Sequence, residues 1–211
     1  MPELQDPRDL LEFGFDELGR EATAQQIDSL LVLSQLLFRW SKTINLTGHQ
    51  TVHEIVKRLI LDAVALAEHI PEVASLADIG SGAGFPGLPI AILRQETRVV
   101  LIDSRERRHH FQREVVRALD LENVQARLGR AEQLDESQCS AAIAQAVAPT
   151  DALPLLLRWV RPEGLLLFPG PERPAALPQD SMVVVEDCVK YRVPCGGPTR
   201  TLRIARKSPA K

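Results

Sequence analysis

Residues 78–87 read Asp-Ile-Gly-Ser-Gly-Ala-Gly-Phe-Pro-Gly, and this glycine loop decides the fold prediction. It begins in the apolar run Ser75–Ile79, which predicts a buried strand, and leads into Pro86–Leu93, which predicts a helix. Glycine tolerates positive φ and lets a ligand lie against bare backbone. A helix start adds free N–H groups and the positive end of the helix dipole. The loop therefore predicts a nucleotide or nucleoside site at the end of a strand.

Strand-like and helix-like segments alternate after the loop. Four more apolar runs predict strands at Arg98–Ile102, Val124–Leu128, Ala141–Val147 and Leu165–Phe168, and the segments between them predict helices at Glu106–Leu119 and Asp151–Val160. This alternation favours a parallel sheet with both faces covered, the doubly wound α/β class. Two final runs, Met182–Val189 and Thr201–Ala205, follow one another without a helix and predict an antiparallel hairpin at the sheet edge.

The part of the chain before the sheet predicts helices. Thr23 with Gln26 and Thr51 with Glu54 match the capping box, which satisfies unpaired N–H groups at a helix start. Apolar residues follow each box at helical spacing. The predicted boundaries are 1–72 for a helical extension packed on the core, 73–207 for the α/β domain and 208–211 for a tail.

Composition limits the classes of function that remain. The 211 residues carry a net charge of −3, so any contact with nucleic acid must come from a local patch. Cys139, Cys188 and Cys195 form no CxxC pair, which disfavours a disulfide framework or a zinc site. No run approaches the ~20 apolar residues of a membrane span, and Met1–Arg20 lacks a signal-peptide core. We expect a cytoplasmic monomer without metal or membrane partner.

The glycine loop is compatible with two cofactor classes. Residues 82–87 also satisfy the GxGxxG pattern of NAD and flavin sites, and Asp103 ends the next strand, where either class places a ribose-binding carboxylate. Asp78 favours S-adenosylmethionine, because a carboxylate there can bind an ammonium group and would repel a pyrophosphate. A dehydrogenase stays the alternative. For Asp103 the other interpretation is a helix-start acid paired with Arg107.

Several segments between residues 40 and 132 carry a family resemblance. They are Trp40-Ser-Lys-Thr-Ile-Asn-Leu-Thr47, Arg58-Leu-Ile-Leu-Asp62, the glycine loop continued as Phe85-Pro-Gly-Leu-Pro89, Leu101-Ile-Asp-Ser104 with Arg107, Arg108 and Phe111, and Gly129-Arg-Ala-Glu132. In this order they resemble the bacterial 16S ribosomal RNA guanine-N7 methyltransferases, the glucose-inhibited division protein B family. The resemblance implies a seven-stranded methyltransferase sheet, S-adenosylmethionine as cofactor, and methylation of a guanine in the 530-loop region of 16S ribosomal RNA, free or in the small ribosomal subunit.

The resemblance also implies roles for individual residues. The catalytic candidates are Asn45, Arg58 and Asp62. The cofactor-binding candidates are Asp78, Gly80, Ser81, Gly82, Gly84, Phe85, Asp103, Ser104, Arg130, Ala131, Glu132 and Gln145. Asp103 is expected beside the ribose, and Ala131 with Glu132 beside the adenine. Asn45 has an equally good interpretation as a turn residue between helices.

Four positions make the chain a divergent member of this pattern. Leu59 and Ala63 stand where the family usually has His and Ser, and Gln145 and Pro169 stand where it has Arg and Lys. Guanine N7 carries an exposed lone pair, so methyl transfer needs positioning and no general base. A lost cation removes a charge-assisted contact of about 1.5–3 kcal/mol. We expect reduced affinity, and two alternatives stay open: a paralogue with another substrate, or a cofactor binder with little activity.

Two basic groups are candidates for RNA contact. The first comprises Arg105, Arg107, Arg108, His109, His110, Arg113 and Arg117, and the second comprises Arg200, Arg203, Arg206, Lys207 and Lys211. Such groups can bind phosphates, although a solvated helix surface is the other interpretation of the first. Trp40 is expected to pack in the core rather than to stack on a base.

Overall fold

A computed structural model describes residues 6–135 and 138–209 and contains one seven-stranded sheet. The strands are β1 Ser75–Ile79, β2 Arg98–Asp103, β3 Val124–Leu128, β4 Cys139–Ile143, β5 Val160–Pro171, β6 Val183–Arg192 and β7 Thr199–Lys207. Their order across the sheet is β3-β2-β1-β4-β5-β7-β6. The first five strands pair in parallel, whereas β7 is antiparallel to both of its neighbours. The predicted α/β class and the edge hairpin are confirmed.

The largest differences from the predicted strand boundaries are in β4 and β5. The strand predicted at Ala141–Val147 begins at Cys139 and ends at Ile143, because the chain turns at Ala146 with a φ of 58°. The last strand of the parallel set starts at Val160 rather than Leu165. Charged and proline residues interrupt the apolar pattern there, and the pairing of β4 with β5 is irregular at the same level.

Helices cover the two faces of the sheet unequally. They are α1 Pro7–Glu17, α2 Ala24–Ser41, α3 Val52–Ile55, a π-helical turn Val56–Ile60, α4 Leu61–Ala67, α5 Gly87–Leu93, α6 Glu106–Ala118 and α7 Pro149–Trp159. Helices α1 to α6 share one hydrophobic cluster with one face, and α7 packs on the other face. The N-terminal helices are therefore packed on the core of the domain. Within the described residues, no helix has the length and apolar character needed to cross a membrane.

The N-terminal caps differ in completeness. Gln26 N–H donates to Thr23 Oγ1 at 3.1 Å and Thr23 N–H donates to Gln26 Oε1 at 3.0 Å, so the first capping box is confirmed. At the second, Glu54 N–H donates to Thr51 Oγ1 at 3.1 Å, but the Glu54 carboxylate accepts from Gln50 N–H instead. The second box is half formed, and the π-helical turn that follows was not predicted.

Trp40 packs as expected. Its ring meets Phe111 of α6 edge to face, with 5.7 Å between ring centroids, and it lies against the hydrophobic cluster of the N-terminal helices. The predicted tail is described only at Ser208 and Pro209, so its last two residues, including Lys211 of the second basic group, lie outside the described part.

Candidate active site

The glycine loop is tied to the end of β2 by its own backbone. Gly80 and Ser81 donate their N–H groups to the carbonyl of Ile102 at 2.9 and 3.0 Å. The N–H groups of Gly84 and Phe85 donate to the Ser81 carbonyl at 2.8 and 2.9 Å. The loop glycines have φ of +71°, +59° and +83°, which explains why the chain needs three of them. The loop connects β1 to α5, so the strand and the helix predicted on either side of it are confirmed.

The start of α5 is occupied by protein. Its first N–H, that of Gly87, donates to Asp78 Oδ2 at 2.9 Å, and the next donates to the Gly84 carbonyl at 2.7 Å. The prediction that this helix start offers free N–H groups to a ligand is wrong. The carboxylate of Asp78, near the end of β1, already accepts a hydrogen bond from the first N–H group of the helix. A pyrophosphate needs those donors. The geometry therefore disfavours a dinucleotide.

Asp78 lies beneath the loop, where only 1% of it is exposed. Its Oδ1 is buried and has no hydrogen-bond partner among the described residues. Burial raises the pKa of Asp78 to about 7, although the Gly87 N–H favours the carboxylate. A second donor or cation near Oδ1 would complete this site, and contact with the cofactor ammonium stays a prediction.

A pH series on cofactor binding tests this role. A cation binds the ionised form of a carboxyl whose pKa is raised, so we expect S-adenosylhomocysteine affinity to rise as the pH increases through about 7. Asp78→Asn removes the titrating group and should bind more weakly, with a flatter profile between pH 6 and 7.5. Isothermal titration calorimetry at each pH measures both. Parallel profiles for the two proteins would show that Asp78 does not meet the ammonium.

Asp103 holds the loop from the side. Its Oδ2 accepts from Gly82 N–H at 2.9 Å and from Arg108 Nη1 at 3.2 Å, and its Oδ1 accepts from Arg105 N–H at 2.8 Å. The alternative pairing with Arg107 is wrong, since the partner is one residue further along α6. A carboxylate has about four acceptor positions, so a ribose hydroxyl can still bind here. Ser104, the next residue, is exposed.

Sequence reasoning missed Gln112, which locks the loop to α6. The side chain is fully buried, and its Nε2 donates to Ser81 Oγ at 2.9 Å and to the Gly82 carbonyl at 2.8 Å. The available signal was its spacing of four residues from Arg108, which places both side chains on the helix face that meets the loop.

The segment predicted beside the adenine follows β3. Gly129 N–H donates to the Asp103 carbonyl at 3.0 Å, which brings this segment to the loop. Ala131 is buried, and its carbonyl accepts from Trp159 Nε1 at 3.0 Å. Arg130 and Glu132 are exposed and form an ion pair, with 3.7 Å between Arg130 Nη1 and Glu132 Oε1. Their contacts with adenine stay a prediction.

The three catalytic candidates lie on three different segments of the N-terminal region. Asp62 is buried on α4 and accepts from Arg200 Nη2 of β7 at 3.0 Å, a member of the second basic group that was a candidate for RNA contact. Burial raises the pKa of Asp62, and Arg200 opposes that rise. The side chains of Asn45 and Arg58 are exposed. Asn45 lies in the connection between α2 and α3, which fits the turn interpretation.

Gln145 and Pro169 line one cavity of about 360 Å³ at the carboxyl ends of β4 and β5. Tyr191, Arg200 and Arg203 line the same cavity from β6 and β7. Two of the positions where the chain departs from the family pattern thus face a common space. This space lies beside β4, which is the neighbour of β1 in the sheet. We call this space the β4–β5–β7 cavity.

Both basic groups are partly paired with acids of the protein. Arg108 binds Asp103, and Arg117 forms a surface pair with Glu114, so only part of the first group faces solvent unpaired. The exposed members without an ion pair among the described residues are Arg105, Arg107 and Arg113. Four members of the second group, Arg200, Arg203, Arg206 and Lys207, lie in β7. They bind acids or carbonyls of the protein, as Arg206 does with Glu186.

The residues at the loop suit S-adenosylmethionine. That cofactor carries an ammonium, ribose hydroxyls and adenine but no phosphate, and the site offers two buried carboxylates with almost no free backbone donors. A Cβ added at Gly80 would meet nothing within 4 Å, so a side chain there would fill the open space above the loop. The donor set therefore matches a sulfonium nucleoside better than a dinucleotide.

Comparison with solved structures supports the fold. The chain is similar to a SAM dependent methyltransferase from Aquifex aeolicus, with a TM-score of 0.52 and 18% identity over 73% of this chain and 93% of that one. It is also similar to a geranyl diphosphate methyltransferase in complex with GPP and sinefungin, with a TM-score of 0.58 and 14% identity over 88% and 99%. At these identities the likeness concerns the fold alone.

Sequence comparison gives the family. The model of a family described as rRNA small subunit methyltransferase G matches residues 26–182. A Ribosomal RNA small subunit methyltransferase G from Halorhodospira halophila is 37% identical over 168 residues, which are 79% of this chain and 80% of that protein. Its namesake from Xylella fastidiosa (strain M23) is 42% identical over 127 residues, 60% of this chain and 58% of that protein. The chain belongs to the rRNA small subunit methyltransferase G family.

Proposed function

We propose that this protein transfers the methyl group of S-adenosylmethionine to N7 of a guanine in the 530-loop region of 16S ribosomal RNA. The observation that carries the proposal is the glycine loop, whose N–H groups bind the protein itself while carboxylates flank it. That arrangement fits a phosphate-free nucleoside cofactor. The relatives' names supply the substrate class.

The chain's own residues contribute binding and orientation. When bound, S-adenosylmethionine supplies an electrophilic methyl group on a sulfonium. Asp103 would hold the ribose, and Gln112 keeps the loop in place by binding Ser81 and the Gly82 carbonyl. N7 of guanine already has a lone pair, so no residue must remove a proton. The Asp62–Arg200 pair would shape the substrate side of the site.

A local basic surface supports an RNA substrate despite the net charge of −3. Arg105 and Arg107 are exposed at the start of α6, directly after Asp103, and Arg113 is exposed two turns later. Phosphate contacts from such side chains give affinity that falls with salt. This surface adjoins the loop through Arg105, whose backbone N–H binds Asp103.

A methylation assay tests the proposal. Small ribosomal subunits that lack this modification are incubated with the protein and methyl-labelled S-adenosylmethionine, and the labelled nucleotide is mapped by nuclease digestion and mass spectrometry. We expect one 7-methylguanosine per subunit, within the 530 loop. Calorimetry with S-adenosylhomocysteine and NAD is the control for cofactor class. Binding of S-adenosylhomocysteine without label in RNA would favour a paralogue with another substrate, and binding of NAD would contradict the proposal.

A further inference from the structure

Arg203 is a buried cation without a carboxylate partner. About nine-tenths of the residue is buried, and no Asp or Glu oxygen of residues 6–135 and 138–209 lies within ion-pair distance of it. One guanidinium nitrogen donates to the Ala175 carbonyl, while its buried Nε has no partner in that part of the chain. Buried charges in proteins are normally paired, so this one calls for an anion.

The neighbouring arginines of β7 show the contrast. Arg200 binds the Asp62 carboxylate, and Arg206 binds the Glu186 carboxylate. Arg203 lies between them in the strand, and its register partners are Phe168 on β5 and Cys188 on β6. Neither partner is an acid. Arg203 stays protonated because guanidinium loses its proton only at very high pH, although burial lowers its pKa.

The side chain of Arg203 lines the β4–β5–β7 cavity. The other walls are largely apolar and include Phe168, Pro169 and Pro174. A cation beside apolar walls attracts an anion more strongly than the same cation in water does. Arg200 also lines this volume of about 360 Å³, but its guanidinium is bound to Asp62, so Arg203 supplies the cation that has no carboxylate partner among the described residues. That combination suits a phosphate group, which arginine binds through two donors.

The position of the cavity favours the substrate over the cofactor. Strand β7 is the third strand from β1 in the order β1-β4-β5-β7. At about 4.8 Å per strand, its side chains lie roughly 14 Å from the glycine loop along the sheet. The cofactor is expected at the glycine loop beside β1, so we assign the group bound by Arg203 to the molecule that receives the methyl group.

We propose that Arg203 binds a backbone phosphate of the RNA substrate in the β4–β5–β7 cavity. The inference rests on the proposed function, since it names a contact of the same reaction. It also gives a reason why the chain functions with Gln145 and Pro169 at the positions where the family has cations: Arg203 supplies a positive charge to the same cavity from the neighbouring strand.

The test compares Arg203→Met with Arg203→Lys. Methionine keeps the packing and removes the charge, whereas lysine keeps the charge. Binding of an RNA fragment containing the 530 loop is measured at several salt concentrations, with thermal unfolding as the control for folding. We expect Arg203→Met to lose about tenfold in affinity, with a salt slope smaller by about 1, and Arg203→Lys to keep most of both. Arg161→Met, an exposed arginine at the other end of β5, is the matched control and should bind like the wild type.

The outcomes separate the two proposals. If the wild type methylates the RNA and Arg203→Met binds it with unchanged affinity and slope, the phosphate contact is overturned and the function stands. If Arg203→Met weakens S-adenosylhomocysteine and not RNA, the anion is the cofactor carboxylate and the contact is again overturned. If the wild type neither binds nor methylates RNA, thermal unfolding of both proteins is measured with and without inorganic phosphate. If phosphate stabilises the wild type against thermal unfolding but does not stabilise Arg203→Met, the anion site stands without an RNA ligand. If phosphate stabilises neither protein, the anion site and the proposed function are both overturned.

Discussion

Gly80→Ala is expected to abolish most cofactor binding while the protein stays folded. The glycine has a φ of +71°, and an added Cβ would enter the open space above the loop. Alanine at positive φ costs about 1–2 kcal/mol, which a domain of this size tolerates. A methyl group between backbone and cofactor also removes the close approach that the loop provides. We expect a loss of about 100-fold or more in S-adenosylhomocysteine affinity, equivalent to about 2.7 kcal/mol.

The matched control is Gly196→Ala. Gly196 also has a φ of +71°, and a Cβ there would likewise meet nothing within 4 Å, but the residue lies in the connection between β6 and β7. Both variants should lose similar stability in thermal unfolding, and only Gly80→Ala should lose calorimetric affinity. Equal affinities in the two variants would show that the cofactor does not lie against Gly80.

Asp103→Asn is expected to weaken cofactor binding by about 10- to 100-fold, because a charge-assisted hydrogen bond to the ribose contributes about 1.5–3 kcal/mol. The amide introduced by Asp103→Asn has one acceptor oxygen, whereas both oxygens of the Asp103 carboxylate accept hydrogen bonds. The three donors are the backbone N–H groups of Gly82 and Arg105 and the side chain of Arg108. The unfolding temperature should therefore fall as well. Calorimetry well below that temperature separates affinity from folding.

Two controls isolate the ribose contact. Arg108→Met removes the ion pair and leaves the Asp103 carboxylate in place, so its affinity should stay close to that of the wild type. Glu114→Gln removes an exposed carboxylate–arginine pair on the same helix and should change neither affinity nor stability by more than about 0.5 kcal/mol. An affinity loss in Arg108→Met as large as that in Asp103→Asn would mean that the carboxylate acts by positioning Arg108.

Local sequence signals predicted the parts of the fold that depend on short-range chemistry. The strand Val124–Leu128 and the box at Thr23 were read correctly, because apolar runs and capping residues act within a few positions. The start of β5 was missed, since Arg161 and Glu163 interrupt the apolar pattern and lie where the pairing of β5 with β4 is irregular. Propensity gives way to pairing at such places.

The residue types of the candidate site were predicted from the sequence, but several of their hydrogen-bond partners were not. The spacing of three glycines and the acids that end β1 and β2 indicated a nucleoside cofactor, because carboxyl ends of neighbouring parallel strands meet at one edge. The sequence could not show that Asp78 caps α5, nor that Arg108 rather than Arg107 reaches Asp103. Those partners depend on side-chain directions set by packing.

By itself, the sequence determined the α/β class and the loop and favoured S-adenosylmethionine over a dinucleotide, since each of these inferences rests on short segments of the chain. Only the tertiary structure decided which distant residues meet. Asp62 on α4 and Arg200 on β7 are separated by 138 positions and form an ion pair, and Gln145 comes to share a cavity with Arg203. Such meetings follow from strand order, which brings β7 next to β5, and strand order is a property of the whole fold.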